Sequence, residues 1–226
     1  MKIFRSYHSF VLRSTRWLYF LGIPLVTALL QLWCSANIKV PLGPALILSM
    51  MLIALIMLDQ WAFGGCCSKH AGQIEYLRCS VRGKAVLRNA LIQDCALRAL
   101  VIAALVGICY GVDYCIAGDR LFAPNWGLEA LFYGFLLYTF ITLGVLIARY
   151  STMFFIGFLT AYLLMQIASG IMLLVFMKMV PVWIPVTVLG LAAVLVTWLC
   201  IRNPIRKMER GYYDETIEGY FAMTEI

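Results

Sequence analysis

Six apolar stretches, each at least 18 residues long, follow one another along this chain and decide what it can fold into. An α-helix rises about 1.5 Å per residue, so a stretch of this length crosses a hydrocarbon core about 30 Å thick. Backbone polar groups in lipid must pair within their own segment, and the alternating pattern of barrel strands is absent, so we expect helices. The predicted spans cover residues 17–34, 42–63, 97–117, 128–148, 153–177 and 180–201. The predicted fold class is all-α, a polytopic membrane protein with six transmembrane helices.

The composition indicates an integral membrane protein. Hydrophobic residues make up 63% of the chain and charged residues 13%, and the mean hydropathy is +0.90. Soluble domains carry about 45–50% apolar and about 25% charged residues. The first span follows four basic residues, as a signal peptide would, but no A-x-A site follows it and Trp33 precedes Cys34. We therefore expect a retained helix.

The distribution of Lys and Arg predicts the orientation in the membrane. Fifteen of the eighteen would lie on one side of a six-span protein, and three on the other. Because cytoplasmic loops carry the excess of basic residues, both termini and the segment 65–95 are expected in the cytoplasm, with the protein in the plasma membrane. The net charge of +7 then matches anionic lipid headgroups, and no nucleic-acid partner is needed to explain it.

The sequence offers no motif for catalysis in this chain. It lacks G-x-x-x-x-G-K-[ST], G-x-S-x-G and H-E-x-x-H, and both histidines, His8 and His70, fall outside the predicted spans. We therefore expect no enzyme activity and no cofactor here, and any ATP-driven step would need ATP and Mg on a separate subunit.

The eight cysteines form no C-x-x-C pair. Cys66, Cys67, Cys79 and Cys95 face a reducing compartment and, with His70, fit no common zinc-ligand spacing, so no metal site is predicted. A disulfide between Cys34 and Cys115, both near the predicted outer face, stays open at this stage.

One polar insert, residues 65–95, interrupts the apolar series and holds five of the eighteen Lys and Arg. Ile74, Leu77 and Val81 recur at helical spacing and predict a short helix with one apolar face. Gly83 permits a break, after which residues 84–94 start a second helical stretch that continues into the third span. An interfacial loop held only by lipid is the alternative, although loops longer than about 12–15 residues usually carry structure or function.

The two termini are expected on the same side of the membrane as the polar insert. Residues 1–16 mix apolar and basic side chains at helical spacing and predict an interfacial amphipathic helix, or else a simple charged anchor. Residues 202–226 are predicted to form a cytoplasmic tail, and Pro204 is expected to bend or end the sixth span. The acidic and aromatic end of this tail either docks on a basic partner or remains mobile.

Ionisable and polar residues at membrane depth are the candidates for a substrate path, because they are costly in lipid. Asp94 and Arg98 are one helical turn apart and are predicted to form an ion pair. Small and hydroxyl-bearing residues within spans also serve helix packing, which is the alternative role for several candidates. The candidates for the path are Asp59, Asp113, Gln166, Ser169, Thr139 and Thr142.

Two stretches around the polar insert are distinctive, namely D-Q-W-A-F-G-G at the end of the second span and G-Q-I-E-Y-L-R-C-S-V-R-G-K-A-V-L in residues 72–87. Through these stretches the chain resembles the membrane subunit of ABC-2-type exporters, also called type V ABC transporters. Family members commonly carry a similar E-x-L-x-x-S run, followed by a turn and a basic residue. The matching positions here are Glu75, Leu77, Ser80, Arg82 and Lys84, with Val81 where the family often has proline.

This resemblance implies a complex of two membrane subunits, here a homodimer, with two copies of a cytosolic ABC ATPase. It implies that part of the polar insert is a coupling helix seated in a cleft of the ATPase, and that closure of the ATPases expels a substrate. The cargo would be an amphipathic peptide or another lipophilic compound. The residues that the resemblance assigns to ATPase coupling are Gln73, Ile74, Glu75, Tyr76, Leu77, Arg78, Ser80 and Arg82.

Two other functions stay open. The membrane component of an energy-coupling-factor vitamin importer is also about this size and also uses separate ATPases. Such proteins dock through pairs of small residues on the first helix, and the first span here has no clean pair of that kind. The second alternative is a membrane immunity or scaffold protein that has no link to ATP.

Overall fold

Five α-helices form most of the part of the chain that the computed structural model describes, namely residues 14, 17–37, 50–57, 59, 79–117, 126–149, 154–176 and 179–210. A π-helical turn, Leu18–Gly22, leads into the first helix, residues 50–57 form a helical segment, and no strand occurs within these ranges. The prediction of an all-α fold is confirmed for this part of the chain. The helices are α1 (Ile23–Asn37), α2 (Gly83–Ala117), α3 (Trp126–Ala148), α4 (Phe154–Phe176) and α5 (Trp183–Arg210).

Helices α2 to α5 are each long and apolar enough to cross a membrane. They correspond to the predicted third to sixth spans. Helix α1 has 15 residues, and only residues 50–57 and 59 of the predicted second span are described. The first two spans therefore stay predictions, as does the amphipathic helix over residues 1–16, of which only Ser14 is described. The apolar parts of the four helices are Gly83–Ile108, Gly127–Ala148, Gly157–Val175 and Trp183–Arg206.

Helix α3 lies at the centre of the bundle and packs against α2, α4 and α5. Its sequence is apolar on all sides, as is expected of a helix that is surrounded by other helices. Leu136, Ile141 and Val145 are completely buried. They share one core with Leu52 and Ile56 of the segment 50–57.

The outward faces of the helices carry large apolar side chains, as lipid-facing surfaces do. Leu100, Leu131, Trp183, Leu191 and Val194 are each more than half exposed. A water-soluble bundle seldom exposes contiguous apolar patches of this kind. The observed exposure is that of helices whose outer faces contact hydrocarbon.

The contacts between helices fix their relative directions. Arg149, at the end of α3, contacts both Asp94 near the start of α2 and Cys200 near the end of α5. Farther along the bundle, Thr139 of α3 donates to the carbonyl of Leu189 in α5. Helix α5 is therefore parallel to α3, and α2 is antiparallel to both. We call the end of the bundle that holds Asp94, Arg149 and Cys200 the insert end, because the polar insert adjoins it.

A glycine allows the segment 50–57 to approach α3 closely. A Cβ atom on Gly144 would overlap the Cδ1 atom of Ile56 and would lie 2.8 Å from its Cγ1 atom. It would also lie 3.2 Å from Cδ1 of Leu164 in α4. Small residues commonly serve this purpose where membrane helices meet.

Helix α2 begins at Gly83, where the sequence predicts a break, and continues without interruption to Ala117. The preceding residues 80–82 form a turn, in which the Gly83 N–H donates to the Ser80 carbonyl at 3.0 Å. The second half of the polar insert is thus continuous with a membrane-crossing helix.

Helix α5 does not end at Pro204, although an end there was one of the two expected outcomes. The helix continues to Arg210 with Pro204 inside it, so residues 202–210 of the predicted tail are helical. Proline removes the hydrogen bond to the carbonyl four residues earlier, that of Cys200. Burial of Pro204 and Ile205 stabilises the helix across this gap. Residues 211–226 lie outside the described part of the chain.

Candidate functional site

Four charged side chains meet inside the insert end of the bundle, and we call them the ion cluster: Asp59, Asp94, Arg98 and Arg149. They come from the residues after the segment 50–57, from α2 and from the end of α3. Their exposed fractions are only 3%, 2%, 1% and 6%. Burying a charge is costly unless it is paired. Two carboxylates and two guanidinium groups bring the formal charge of the cluster to zero.

Arg149 forms the centre of the ion cluster. Its Nε donates to Oδ2 of Asp59 and its NH2 group donates to Oδ1 of Asp59, both at 2.9 Å. The same NH2 group also donates to Oδ2 of Asp94 at 3.0 Å. A guanidinium that binds a carboxylate with two parallel hydrogen bonds gives a strong and directional contact. One arginine thereby joins two chain segments to the end of α3.

Arg98 provides the second positive charge of the cluster. Its NH2 group donates to Oδ2 of Asp94 at 2.7 Å, one helical turn away on α2. It also lies 3.8 Å from Oδ1 of Asp59. The ion pair predicted from the i,i+4 spacing is confirmed, and it belongs to a larger group that the spacing alone does not show.

A thiol extends the ion cluster to α5. Nη1 of Arg149 donates to Sγ of Cys200 at 3.5 Å. Cys95, the neighbour of Asp94 on α2, lies beside Cys200. Both cysteines are buried and neither forms a disulfide. Helices α2, α3 and α5 are thus joined through polar contacts at this one point.

The ion cluster connects the two ends of the polar insert. Asp59 lies shortly before residue 65, and Asp94 lies at the far end of the insert, on α2. Both carboxylates accept hydrogen bonds from the same NH2 group of Arg149. The residues between them are therefore attached at both sides to one buried point in the helix bundle.

The ion cluster lies within the packed core of the bundle. Core residues such as Leu91, Ile102 and Val145 are buried in the same bundle. Breaking a buried ion pair by removing one partner costs about 3–5 kcal/mol.

The candidates for a substrate path lie in different places. Asp59 belongs to the ion cluster. Thr139 and Thr142 are buried residues of α3, and the Thr139 hydroxyl donates to the Leu189 carbonyl at 3.3 Å. Ser169 donates to a carbonyl of its own helix at 2.8 Å. Gln166 is exposed on α4.

Asp113 lies in α2, but its side chain is outside the described residues. The structure therefore places Thr139 and Thr142 one turn apart on the buried side of α3, and the five described candidates do not form one site. A path lined by them stays a prediction.

Of the residues assigned to ATPase coupling, the structure describes Ser80 and Arg82. Both lie in the turn that precedes α2, where Arg82 is exposed and Val81 is completely exposed. The other six lie outside the described part of the chain. They are Gln73, Ile74, Glu75, Tyr76, Leu77 and Arg78.

Most of the Cys and His side chains considered for a metal site or a disulfide lie outside the described residues. Among the described residues, no three His, Cys, Asp or Glu side chains are close enough to hold a metal ion. Cys66, Cys67 and His70 lie outside these residues, and so do the side chains of Cys34 and Cys115.

Arg149 is the functional candidate that sequence reasoning missed. In the sequence it is one of the fifteen basic residues on the predicted cytoplasmic side, directly after the fourth predicted span. The number of charges near this membrane boundary could have indicated Arg149, because the two carboxylates of Asp59 and Asp94 have only one predicted cationic partner there, Arg98. A second buried cation is needed at that depth, and Arg149 directly follows an apolar span.

Comparisons with known proteins do not assign the chain to a family. No protein-family model matches it, and neither the curated proteins nor the solved structures contain a significant match.

Proposed function

We propose that this chain is the transmembrane subunit of an ATP-driven exporter of the ABC-2 type, powered by a separate cytosolic ATPase. Its substrate would be an amphipathic peptide or another lipophilic compound. The observation that supports this proposal is the ion cluster, because it attaches both sides of the polar insert to the membrane helices.

The attachment gives a route by which a push on the polar insert reaches the membrane domain. Displacement of the insert acts on Asp59 and Asp94, which hold Arg149 at the end of α3. Through Arg149 the displacement also reaches Cys200 of α5. Buried, packed elements respond to such a load by switching between discrete arrangements.

The length of α2 is suited to carrying a push on the polar insert across the membrane. Its 35 residues correspond to about 52 Å, well beyond the roughly 30 Å hydrocarbon core. It starts in the polar insert, carries two members of the ion cluster and then runs along the bundle. A load at its first turn therefore acts on a rigid rod that extends across the membrane.

The complex would contain two copies of this chain and two ATPases, in the plasma membrane with both termini in the cytoplasm. Residues 73–80 of each copy would occupy a cleft in one ATPase, and Arg82 would flank it. The excess of Lys and Arg on the side of the insert supports this orientation.

The test is affinity purification in mild detergent from the native host, with matched variants of the insert. We expect the full chain to bring down a soluble protein with a Walker motif. Leu77→Asp should lose that protein, because it places a charge on the apolar face of the predicted coupling helix. Met179→Asp is the control, since it also replaces an apolar residue by aspartate at an exposed position, but before the start of α5, at the end of the bundle opposite the insert.

Leu77→Asp should elute as a single peak at the position of the wild-type chain stripped of its ATPase, which separates lost binding from misfolding. A chain that purifies without any ATPase would overturn the proposal and favour the immunity or scaffold alternative. An ATPase that remains bound to Leu77→Asp would overturn the coupling assignment and favour an importer that docks through other helices.

A further inference from the structure

An open apolar groove of about 870 Å³ lies between α2, α3 and α5. Small residues make it deep: Ala99, Ala103 and Gly107 recur at four-residue spacing on α2, and Gly134 faces them from α3. A Cβ atom on Gly134 would meet no atom within 4 Å apart from its own stretch of helix. The volume falls within the range of about 300–1,000 Å³ that is typical of pockets for small ligands.

The groove offers almost no hydrogen-bonding capacity to a ligand. The hydroxyl groups of Tyr138 and Thr197 lie in its lining and hydrogen bond to each other at 2.8 Å. The Thr197 hydroxyl is also within 2.6 Å of the Ala193 carbonyl. An extended peptide would leave its backbone groups unsatisfied here, whereas a hydrocarbon chain would not.

Positive charge lies at the insert end of the groove. Trp198 forms part of the lining there, and the guanidinium of Arg202 lies 4.4 Å from the centre of its ring. Arg206 follows one turn later on α5 and is exposed. The apolar part of α5 ends at Arg206, so both arginines lie where a span meets the headgroup region.

We propose that this groove binds an anionic phospholipid, with an acyl chain between α2, α3 and α5 and the phosphate at Arg202 and Arg206. The apolar walls suit the chain, and the two cations suit the headgroup. Basic residues near the membrane surface attract anionic lipids, and each contributes a roughly fivefold preference. This inference is independent of the proposed transport function.

A second copy of the chain is the competing occupant of the groove. In a two-fold symmetric pair the same patch faces itself. Copies inserted in the same orientation would therefore bring Arg202 and Arg206 of both chains to the same depth, with like charges opposed. An anionic headgroup neutralises this charge, which is why the lipid is favoured.

The experiment measures quenching of Trp198 by brominated acyl chains. The full chain is reconstituted in phosphatidylcholine vesicles that contain a small fraction of either brominated phosphatidylglycerol or brominated phosphatidylcholine. The contribution of Trp198 is the difference between the wild type and Trp198→Phe. We expect phosphatidylglycerol to quench Trp198 preferentially, and Arg202→Gln to reduce that preference roughly fivefold.

A second variant is designed to fill the groove. Gly134→Leu should abolish the preference while leaving both arginines in place, because the leucine side chain occupies the space of the acyl chain. Gly170→Leu is the matched control, since Gly170 lies on α4 outside the groove and also has open space around it. Arg88→Gln is the control for the removal of an exposed arginine.

The proposal is overturned if the two lipids quench Trp198 equally in the wild type. A preference that survives Gly134→Leu would overturn it too, because the acyl chain would then lie elsewhere. A wild-type dimer that Gly134→Leu converts to a monomer would show that a second copy fills the groove.

Discussion

Removal of Arg149 is the sharpest test of the ion cluster. Arg149→Met replaces the guanidinium by an apolar side chain of similar length and leaves Asp59, Asp94 and Arg98 with a net formal charge of −1. Three hydrogen bonds of 2.9–3.0 Å to buried carboxylates disappear. Leaving one charge of a buried pair uncompensated costs about 3–5 kcal/mol.

A double-mutant cycle distinguishes charge pairing from simple packing. Asp59→Leu should also cost about 3–5 kcal/mol, because it leaves a net charge of +1 in the cluster. The double variant retains only the neutral Asp94 and Arg98 pair, so it should be more stable than either single variant. The coupling energy between positions 59 and 149 should then exceed about 3 kcal/mol, in the range measured for close charge pairs.

The assay is the free energy of unfolding in mixed micelles, followed by helical circular dichroism during titration with sodium dodecyl sulfate. Arg149→Lys keeps the charge but loses the two parallel hydrogen bonds to Asp59, and we expect an intermediate loss of about 1–2 kcal/mol. Arg88→Gln, at an exposed position, should change stability by less than about 0.5 kcal/mol. Equal stability of Arg149→Met and the wild type, or strictly additive losses in the double variant, would refute the reasoning.

Two further predictions concern packing and accessibility. Gly144→Ala should lower the free energy of unfolding by about 1–3 kcal/mol, because the added methyl group overlaps Ile56. Gly170→Ala, which meets open space, should change that free energy little. Equal effects of the two substitutions in the same titration would contradict the close packing at position 144. A maleimide should modify Cys79, which is exposed, and should spare Cys95 and Cys200 until the protein unfolds. Rapid labelling of Cys95 or Cys200 in the folded protein would contradict the burial of these two thiols at the insert end. In intact cells an impermeant maleimide should also spare Cys79, because the charge distribution predicts that the insert is cytoplasmic.

Local patterns in the sequence predicted the helices and the nearest ion pair. Apolar length predicts α2 to α5, and the start of α2 at Gly83 follows from the conformational freedom of glycine after a polar turn. The pair of Asp94 and Arg98 follows from one helical turn of spacing. Each of these features depends on residues that are close together in the chain.

Tertiary contacts were harder to predict. Arg149 and Asp59 are 90 residues apart, and their contact depends on how α3 packs against the segment 50–57, which Gly144 permits. Pro204 disfavours a continuous helix locally, yet its burial beside Ile205 outweighs that preference. The groove depends on the relative placement of three helices, so no single span reveals it.

Photo-crosslinking from position 77 tests the central claim, that the polar insert is where an ATPase acts on this membrane domain. A photoreactive amino acid replaces Leu77 in the full chain, and a second version carries it at Leu191, on the outward face of α5. After irradiation of cells, mass spectrometry identifies the crosslinked partners. We predict that position 77 captures a soluble protein with a Walker motif and that position 191 does not. Capture of no such protein from position 77, in a chain that folds and reaches the membrane, would contradict the account.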